Sequence, residues 1–464
     1  MSLVFALLSI EILGMFFVLL AIKRDRSCYS FPEILSLSFF IGASFAAFQL
    51  LAYYFFEIDF NLRNVIAAPV VLFLLVFSHY FSRPQRLKEF APHGGYFQKW
   101  NLTERLLFLG VLVQFLWVIF LVAPMPVYSH DAVANYALKA KIFYSSGGVP
   151  EGFFGWSEAT VSHPDYPLLL PFLLTWVYVF TGFNDFIINM VMPVIYTAFL
   201  VLFYSQAKRI FNRPYAFLLV FFLATIPQLA DYATVIHADL LLTALVAGAF
   251  LYFWLYAREF RKGDLLLSSV LFGFTLWTKN EAIVFVAAFA AVFIVLFARS
   301  EPIFKKKIAR DIIVSFFIVA VISAPSFAVK IAAGVTNSDI DLSKLTFDRF
   351  LQNVKDIPVL LNLFQQEVFG PKKWNILWMM LLAAIVWKRR FLLKGQNFYV
   401  TLFIILASLG YFAGYMATTG NNLYFYVNTT ISRFMLHFSG IGLFLLGCLV
   451  YDDVLGLESF KERM

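Results

Sequence analysis

Hydrophobic residues fall in stretches of about 17–25 positions, the length a helix needs to cross a hydrocarbon core. They recur along the chain, separated by short polar clusters. Read as helices, they predict spans at roughly 2–21, 33–56, 64–81, 106–126, 186–206, 215–231, 238–257, 264–278, 281–298, 311–330, 375–387, 397–417 and 433–451. The stretch 167–181 is different. It is short, contains Pro167 and Pro171, and is expected to lie as a helix in the outer interface. No fixed-period repeat and no Gly/Ser or Pro-rich linker divides the chain, so one architectural unit is the simplest reading.

Composition narrows the class. Of the 464 residues 61% are hydrophobic and 14% charged, and mean hydropathy is +0.79; soluble domains carry roughly a quarter charged residues. The expected fold is therefore all-α, a polytopic membrane bundle of about 13 transmembrane helices. Lys and Arg collect on the cytoplasmic side of membranes. With the N-terminus outside and the C-terminus inside, the runs Lys23 to Arg26, Arg83 to Arg105, Lys208 to Arg213, Arg258 to Lys262, Arg299 to Arg310 and Lys388 to Lys394, with the C-terminal tail, all become cytoplasmic. The first segment, with no basic residues before it and Lys23 and Arg24 after it, reads as a retained anchor. The net charge of +8 calls for no nucleic-acid partner; basic loops beside spans meet anionic membrane lipids. Cys28 and Cys448 both map near the reducing face, which supports neither a disulfide nor a cysteine metal site.

The same topology puts a loop from about residue 127 to 185 outside. It is acidic, with Asp131, Glu151, Glu158, Asp165 and Asp185 against Lys139 and Lys141. If residues 131–144 are helical, Asp131, Asn135 and Lys139 share one face, Lys141 points elsewhere, and Gly147-Gly148 ends the helix. Further ionisable residues fall on this side: His163 and Asp165 in SHPDYPLLLP, His237 and Asp239 in IHADLLL, Lys279 and Glu281 in LWTKNEA, and Arg433 in NTTISRFMLHFSG. Carboxylates and cations gathered at one bilayer surface suit a reaction on a lipid phosphate, in which cations hold the phosphate and a carboxylate takes a proton.

DAVANYALKAK (131–141), HPDYPLLLP (163–171) and WTKNE (277–281), in this order, resemble the GT-C membrane glycosyltransferases. Protein O-mannosyltransferases, lipid A aminoarabinose transferases and a bacterial subset of family 39 glycosyltransferases are members of that group. The resemblance covers residues 106–298 and Arg433. It implies a catalytic core at 106–330, preceded by extra spans (1–105) and followed by an outer amphipathic segment (331–374) and C-terminal spans (375–464). It further implies a polyprenyl-phosphate sugar donor, a glycan, lipid or protein acceptor, and a site facing the exterior or periplasm from what is expected to be a bacterial inner (plasma) membrane. Carried over by residue, it makes Asp131 the general base, Asp165 the second loop acid and Asp239 the acid at the outer end of a core span. Lys279, Arg433 and Lys139 become donor-phosphate ligands, with His163, Glu281, Asn135, Tyr166 and His237 around them. Many members carry two adjacent acids at the first site, but here Ala132 follows Asp131. A divalent cation (Mg²⁺, Mn²⁺ or Ca²⁺) held by Asp131 with Asp165 is the alternative to an ion-free site.

Attack with a single base predicts inversion at the anomeric carbon. Two other classes compete: a flippase or transporter of lipid-linked sugars, expected to show paired repeats or broken midplane helices, and an O-antigen ligase or polymerase, expected to place its chemistry in a late outer loop. The acids here are early and lie on one side. The aromatic residues are expected mostly to face lipid or interfaces, with Trp156, Tyr166, Tyr424 and Tyr426 as candidates for stacking on a sugar. The segment 335–374 is expected to form amphipathic helices over the cavity.

Overall fold

In the computed structural model, residues 2–81, 100–157, 160–335, 357–416 and 423–455 are described, with a few isolated positions between 346 and 355. Glu158, the basic run at 83–99, the amphipathic positions Leu345 and Phe350 and the C-terminal tail lie outside them. Every regular element among the described residues is helical. Nine of these helices are long and apolar enough to cross a membrane, and the chain is an integral membrane protein. Each of the thirteen predicted stretches has a helix at its place.

Helix α1 (Ser2–Ala21) and helix α2 (Phe31–Phe55) pair tightly. A β-carbon on Gly14 would sit 1.7 Å from the Ser38 carbonyl oxygen, and one on Gly42 would sit 1.9 Å from that of Ile10. Only glycines permit this approach, the small-residue contact by which membrane helices associate. Polar caps set the starts of helices. Ser30 Oγ accepts from the Glu33 amide at 3.3 Å while Glu33 Oε2 accepts from the Ser30 amide at 3.2 Å. Asn101 and Glu104 repeat this reciprocal cap at the head of α4 (Leu102–Val122), which follows α3 (Leu62–Phe81).

A π turn (Ala132–Tyr136) leads into α5 (Ala137–Ser145), which ends as expected. Gly147 adopts φ +64° and Gly148 N donates back to the Phe143 carbonyl at 3.0 Å. Helix α6 (Leu169–Thr181) is, at 13 residues, shorter than a membrane span, as expected, and within the protein it has little free face. Leu169 to Tyr178 are all buried, and the helix packs against α1, α2 and α5. A helix apolar all round needs cover all round.

The remaining helices of five or more residues are α7 (Asp185–Asn189), α8 (Val191–Lys208), α9 (Arg213–Ala224), α10 (Pro227–Tyr232), α11 (Ala238–Glu259), α12 (Lys262–Thr275), α13 (Ala282–Arg299), α14 (Pro302–Ala332), α15 (Ile357–Val368), α16 (Leu377–Trp387), α17 (Asn397–Met416) and α18 (Leu423–Leu455). The predicted span at 215–231 is two helices, α9 and α10, broken just before Pro227, whose ring removes a helical N–H donor. Helix α11 is the axis of the bundle. Its span is wholly enclosed and packs on α8, α12 and α18. The largest fully buried side chains are mostly aromatic, among them Trp176, Trp254, Trp277, Tyr196 and Tyr252. Other rings are exposed on the helices, among them Phe5, Phe73, Trp117, Phe120 and Phe317, so the aromatics divide between the surface and the interior, where large rings supply packing contacts between helices.

Candidate active site

Five elements converge at one end of the bundle. The π turn brings Asp131; the segment before α6 brings His163, Asp165 and Tyr166; the start of α11 brings His237 and Asp239; the α12–α13 connection brings Lys279 to Glu281; and α18 brings Arg433 and His437 on one face, four residues apart. Sequence positions some three hundred residues apart thus share hydrogen bonds.

The first cluster is a chain of charges. Asp131 Oδ2 accepts from Arg433 Nη2 at 3.0 Å and lies 2.5 Å from His237 Nε2. His237 Nδ1 faces Asp239 Oδ2 in tight contact. Asp239 Oδ1 in turn takes Lys279 Nζ at 2.9 Å and lies 3.0 Å from His437 Nε2, whose other nitrogen is 2.8 Å from the Tyr411 hydroxyl. Lys279 also pairs with Glu281 at 2.6 Å. Both nitrogens of His237 point at carboxylates, so its ring is held between Asp131 and Asp239. The hydrogen bond from His237, with the charges of His237 and Arg433, holds the Asp131 carboxyl well below the usual carboxylate range against the opposing effect of burial. Burial opposes the charge on Lys279, yet Asp239 and Glu281 raise its pKa well above the ordinary lysine value.

Exposure is uneven along this chain. The side chains of Asp239 and Lys279 are sealed, whereas those of Asp131 and Arg433 are 32% and 30% exposed. Asp131 is the end of the relay that solvent reaches. Its other oxygen, Oδ1, has the exposed His130 at 3.5 Å.

A second cluster lies across Lys279. Asn280 Nδ2 donates to Asp165 Oδ2 at 3.1 Å, and Lys330 Nζ on α14 donates to Asn280 Oδ1 at 2.6 Å. Lys139, fully buried, donates to the His163 carbonyl at 2.5 Å and lies 5.8 Å from the Tyr166 ring. His163 stacks on Tyr166 at 4.4 Å and sits at φ +51°, a left-handed conformation followed by Pro164. Burial pushes the Lys139 ammonium down to about 7, with Asp165 acting the other way. Asp165, Lys279, Asn280 and Lys330 line a cleft of about 240 Å³.

The residues named from sequence therefore all reach this end, but not as one group. Asp131, His237, Asp239, Lys279, Glu281 and Arg433 form the first cluster, while Asp165, Lys139, His163 and Tyr166 belong to the second. The expectation that Asp131, Asn135 and Lys139 act from one face gives way. The π turn adds a residue to the turn between them, so Asp131 and Lys139 serve different clusters, and Asn135 is buried with its Oδ1 unpartnered. Lys141 does point elsewhere, to Asp185 at 2.8 Å. Asp131 is held by an arginine and a histidine and Asp165 accepts from an amide, and among the described residues no three His, Cys, Asp or Glu side chains stand together as ligands. Tyr424 is exposed. His437, Asn280 and Lys330 were not singled out from sequence. The spacing of His437 from Arg433 was the one available signal, because Asn280 and Lys330 gain meaning only from their partners.

The family described as dolichyl-phosphate-mannose-protein mannosyltransferase has a model that matches residues 163–326. No curated protein and no solved structure matches the chain. The matched segment runs from His163 through Asp165, His237, Asp239 and Lys279 to Ser326, and so contributes side chains to both clusters. In that segment the chain is similar to the dolichyl-phosphate-mannose-protein mannosyltransferases, which supports a membrane glycosyltransferase of the GT-C type.

Proposed function

We propose that this protein moves a sugar from a polyprenyl-phosphate-linked donor to an acceptor hydroxyl on a glycan, lipid or protein, with inversion, and that Asp131 is its general base. The observation that carries the reading is the division of labour on Asp131. Oδ2 is pinned by His237 and Arg433, which leaves Oδ1, beside the exposed His130 at 3.5 Å, to meet an acceptor. A carboxylate held this acidic is a weak base. It orients the hydroxyl first and takes the proton late, when bonding to an oxocarbenium-like carbon has made that hydroxyl acidic. A sugar on a lipid phosphate carries its own leaving group, so the protein has to neutralise the departing phosphate rather than protonate it. Lys279, on the wall between the clusters, is the cation nearest that task.

His237 is a positioning residue, since both carboxylates fix its ring and it fixes Asp131. No step here uses a metal ion. On this reading the clustered end faces the exterior or periplasm of a bacterial plasma membrane, with the N-terminus outside and the C-terminus inside. That orientation follows from the distribution of Lys and Arg.

The test is purified protein given a labelled polyprenyl-phosphate sugar and candidate acceptors. Release of polyprenyl phosphate with transfer of the sugar in the opposite anomeric configuration is expected. Asp131→Asn should cut turnover by about 10²–10⁴ while donor binding persists. Full activity in that variant removes the assignment, and vectorial movement of intact donor without cleavage would make the protein a flippase.

A further inference from the structure

The two clusters differ in charge. In the first, Asp131, Asp239 and Glu281 face Lys279 and Arg433, with His237 between two of the acids, so carboxylates are no fewer than the fixed cations. In the second, Lys139 and Lys330 both lie in the field of a single carboxylate, Asp165. Among the described residues, buried Lys139 and partly buried Lys330 thus share one acid, which leaves a positive surplus when both are protonated. In a low-dielectric setting such a surplus is costly until an anion fills it.

The cleft at which Lys330 and Lys279 meet also has a sided character. Its floor holds Asp165 and Asn280, while two of its lining residues, Ile283 and Phe327, are 52% and 42% exposed apolar side chains on α13 and α14. One turn on, Ile331 is 79% exposed. Exposed apolar residues on membrane helices face acyl chains. A cationic floor with a lipid-facing apolar rim fits an amphiphile whose anionic head enters sideways and whose chain stays in the bilayer. A free anion would need no such rim.

We propose that Lys330, with Lys279 beside it and Lys139 behind Asp165, is the seat of the lipid phosphate, so that the donor enters laterally between α13 and α14 and is met by Asp131 on the far side of Lys279. This rests on the glycosyl-transfer reading and extends it to a residue outside the motifs. Lys330 gives up its bond to the Asn280 side-chain carbonyl, or shares it, when the phosphate arrives. Arg433, already committed to Asp131, becomes a positioning residue and not a phosphate ligand.

The experiment measures binding to the full chain in nanodiscs of zwitterionic lipid, with four probes: polyprenyl monophosphate, the neutral polyprenol, inorganic phosphate and phosphatidylglycerol. Polyprenyl monophosphate should bind most tightly. Lys330→Gln should weaken it by about tenfold to a hundredfold, the range for losing a charged hydrogen bond. The same variant should erase the preference over polyprenol, and Lys330→Arg should restore much of it. Asn280→Asp keeps Lys330 in the chain but sets a negative charge against its ammonium, and should weaken binding in parallel, which covers a Lys330→Gln protein that fails to fold. Unchanged affinity in folded Lys330→Gln overturns the proposal. So does equal binding of inorganic phosphate, which would mean a site for free anions, or of phosphatidylglycerol, which would mean a site for bulk lipid. In kinetics, Lys330→Gln should raise KM for the donor, whereas Asp131→Asn lowers kcat. Lys330-dependent binding without any sugar transfer would sink the proposed function and leave this site standing; transfer with an unchanged KM in Lys330→Gln would do the reverse.

Discussion

Two ionic clusters occupy opposite ends of helix α11, and they are built differently. At one end, Arg209 reaches Asp264 through two bonds of 2.8 and 2.7 Å and Glu33 at 3.3 Å; Tyr29 donates to Asp264 and Tyr252 to Glu33, both at 2.8 Å. The Ser30 amide takes the last Glu33 oxygen. Every carboxylate oxygen there has a donor, and the side chains of Arg209, Glu33 and Asp264 are at most 10% exposed. Tyr252 lies thirteen residues beyond Asp239, which places the other cluster about 20 Å away along the helix. There Asp131 and Arg433 are about a third exposed, and one pair of lysines shares a single acid. Charges that only join helices are closed off completely. On the proposed function, charges that meet a substrate would instead keep an oxygen and a positive surplus in reserve.

This contrast predicts rate effects at one end and stability effects at the other. The largest rate effect is expected for Asp131→Asn, a fall in turnover of about 10²–10⁴ with the melting transition unmoved; assays beside thermal unfolding in detergent check both halves. Arg209→Met leaves Asp264 and Glu33 buried without their cation and should cost about 3–5 kcal/mol of stability, while the folded fraction keeps its turnover per molecule. Loss of turnover without loss of stability in that variant would break the comparison.

His237→Gln should lower turnover by about tenfold to a hundredfold. It should also raise the acidic limb of the pH–rate profile, which in the native protein lies below the ordinary Asp value of about 4 because His237 and Arg433 hold Asp131 down. A merely structural histidine would leave that limb where it is. A pH-dependent effect concerns Lys139. Its folded pKa of about 7 is below the unfolded value of about 10.4, so between these values the unfolded chain binds the extra proton and stability rises with pH, by up to about 1.4 kcal/mol per unit. Lys139→Met should flatten that slope in unfolding curves taken from pH 7 to 10.

Much of this was legible in the chain. The apolar stretches located the helices because backbone groups in lipid have to be bonded within their own segment, so length and composition alone identify a span. Asp131, His237, Asp239, Lys279 and Arg433 stood out because ionisable residues at span ends are few and seldom idle. The burial of α6 was not legible, since a short apolar helix with two prolines looks the same whether lipid or other helices cover it. Nor were Asn280 and Lys330, an ordinary amide and a lysine at the end of a span.

The sequence by itself determined that the chain is helical and membrane-embedded, and which charged residues could take part, because hydropathy and the desolvation of charge are properties of each segment alone. Only the tertiary structure decided that these residues divide into a matched acid–base chain and a cation-rich cleft, with Lys279 between them. Pairing depends on which helix ends meet across hundreds of residues and on a single π turn that separates Asp131 from Lys139.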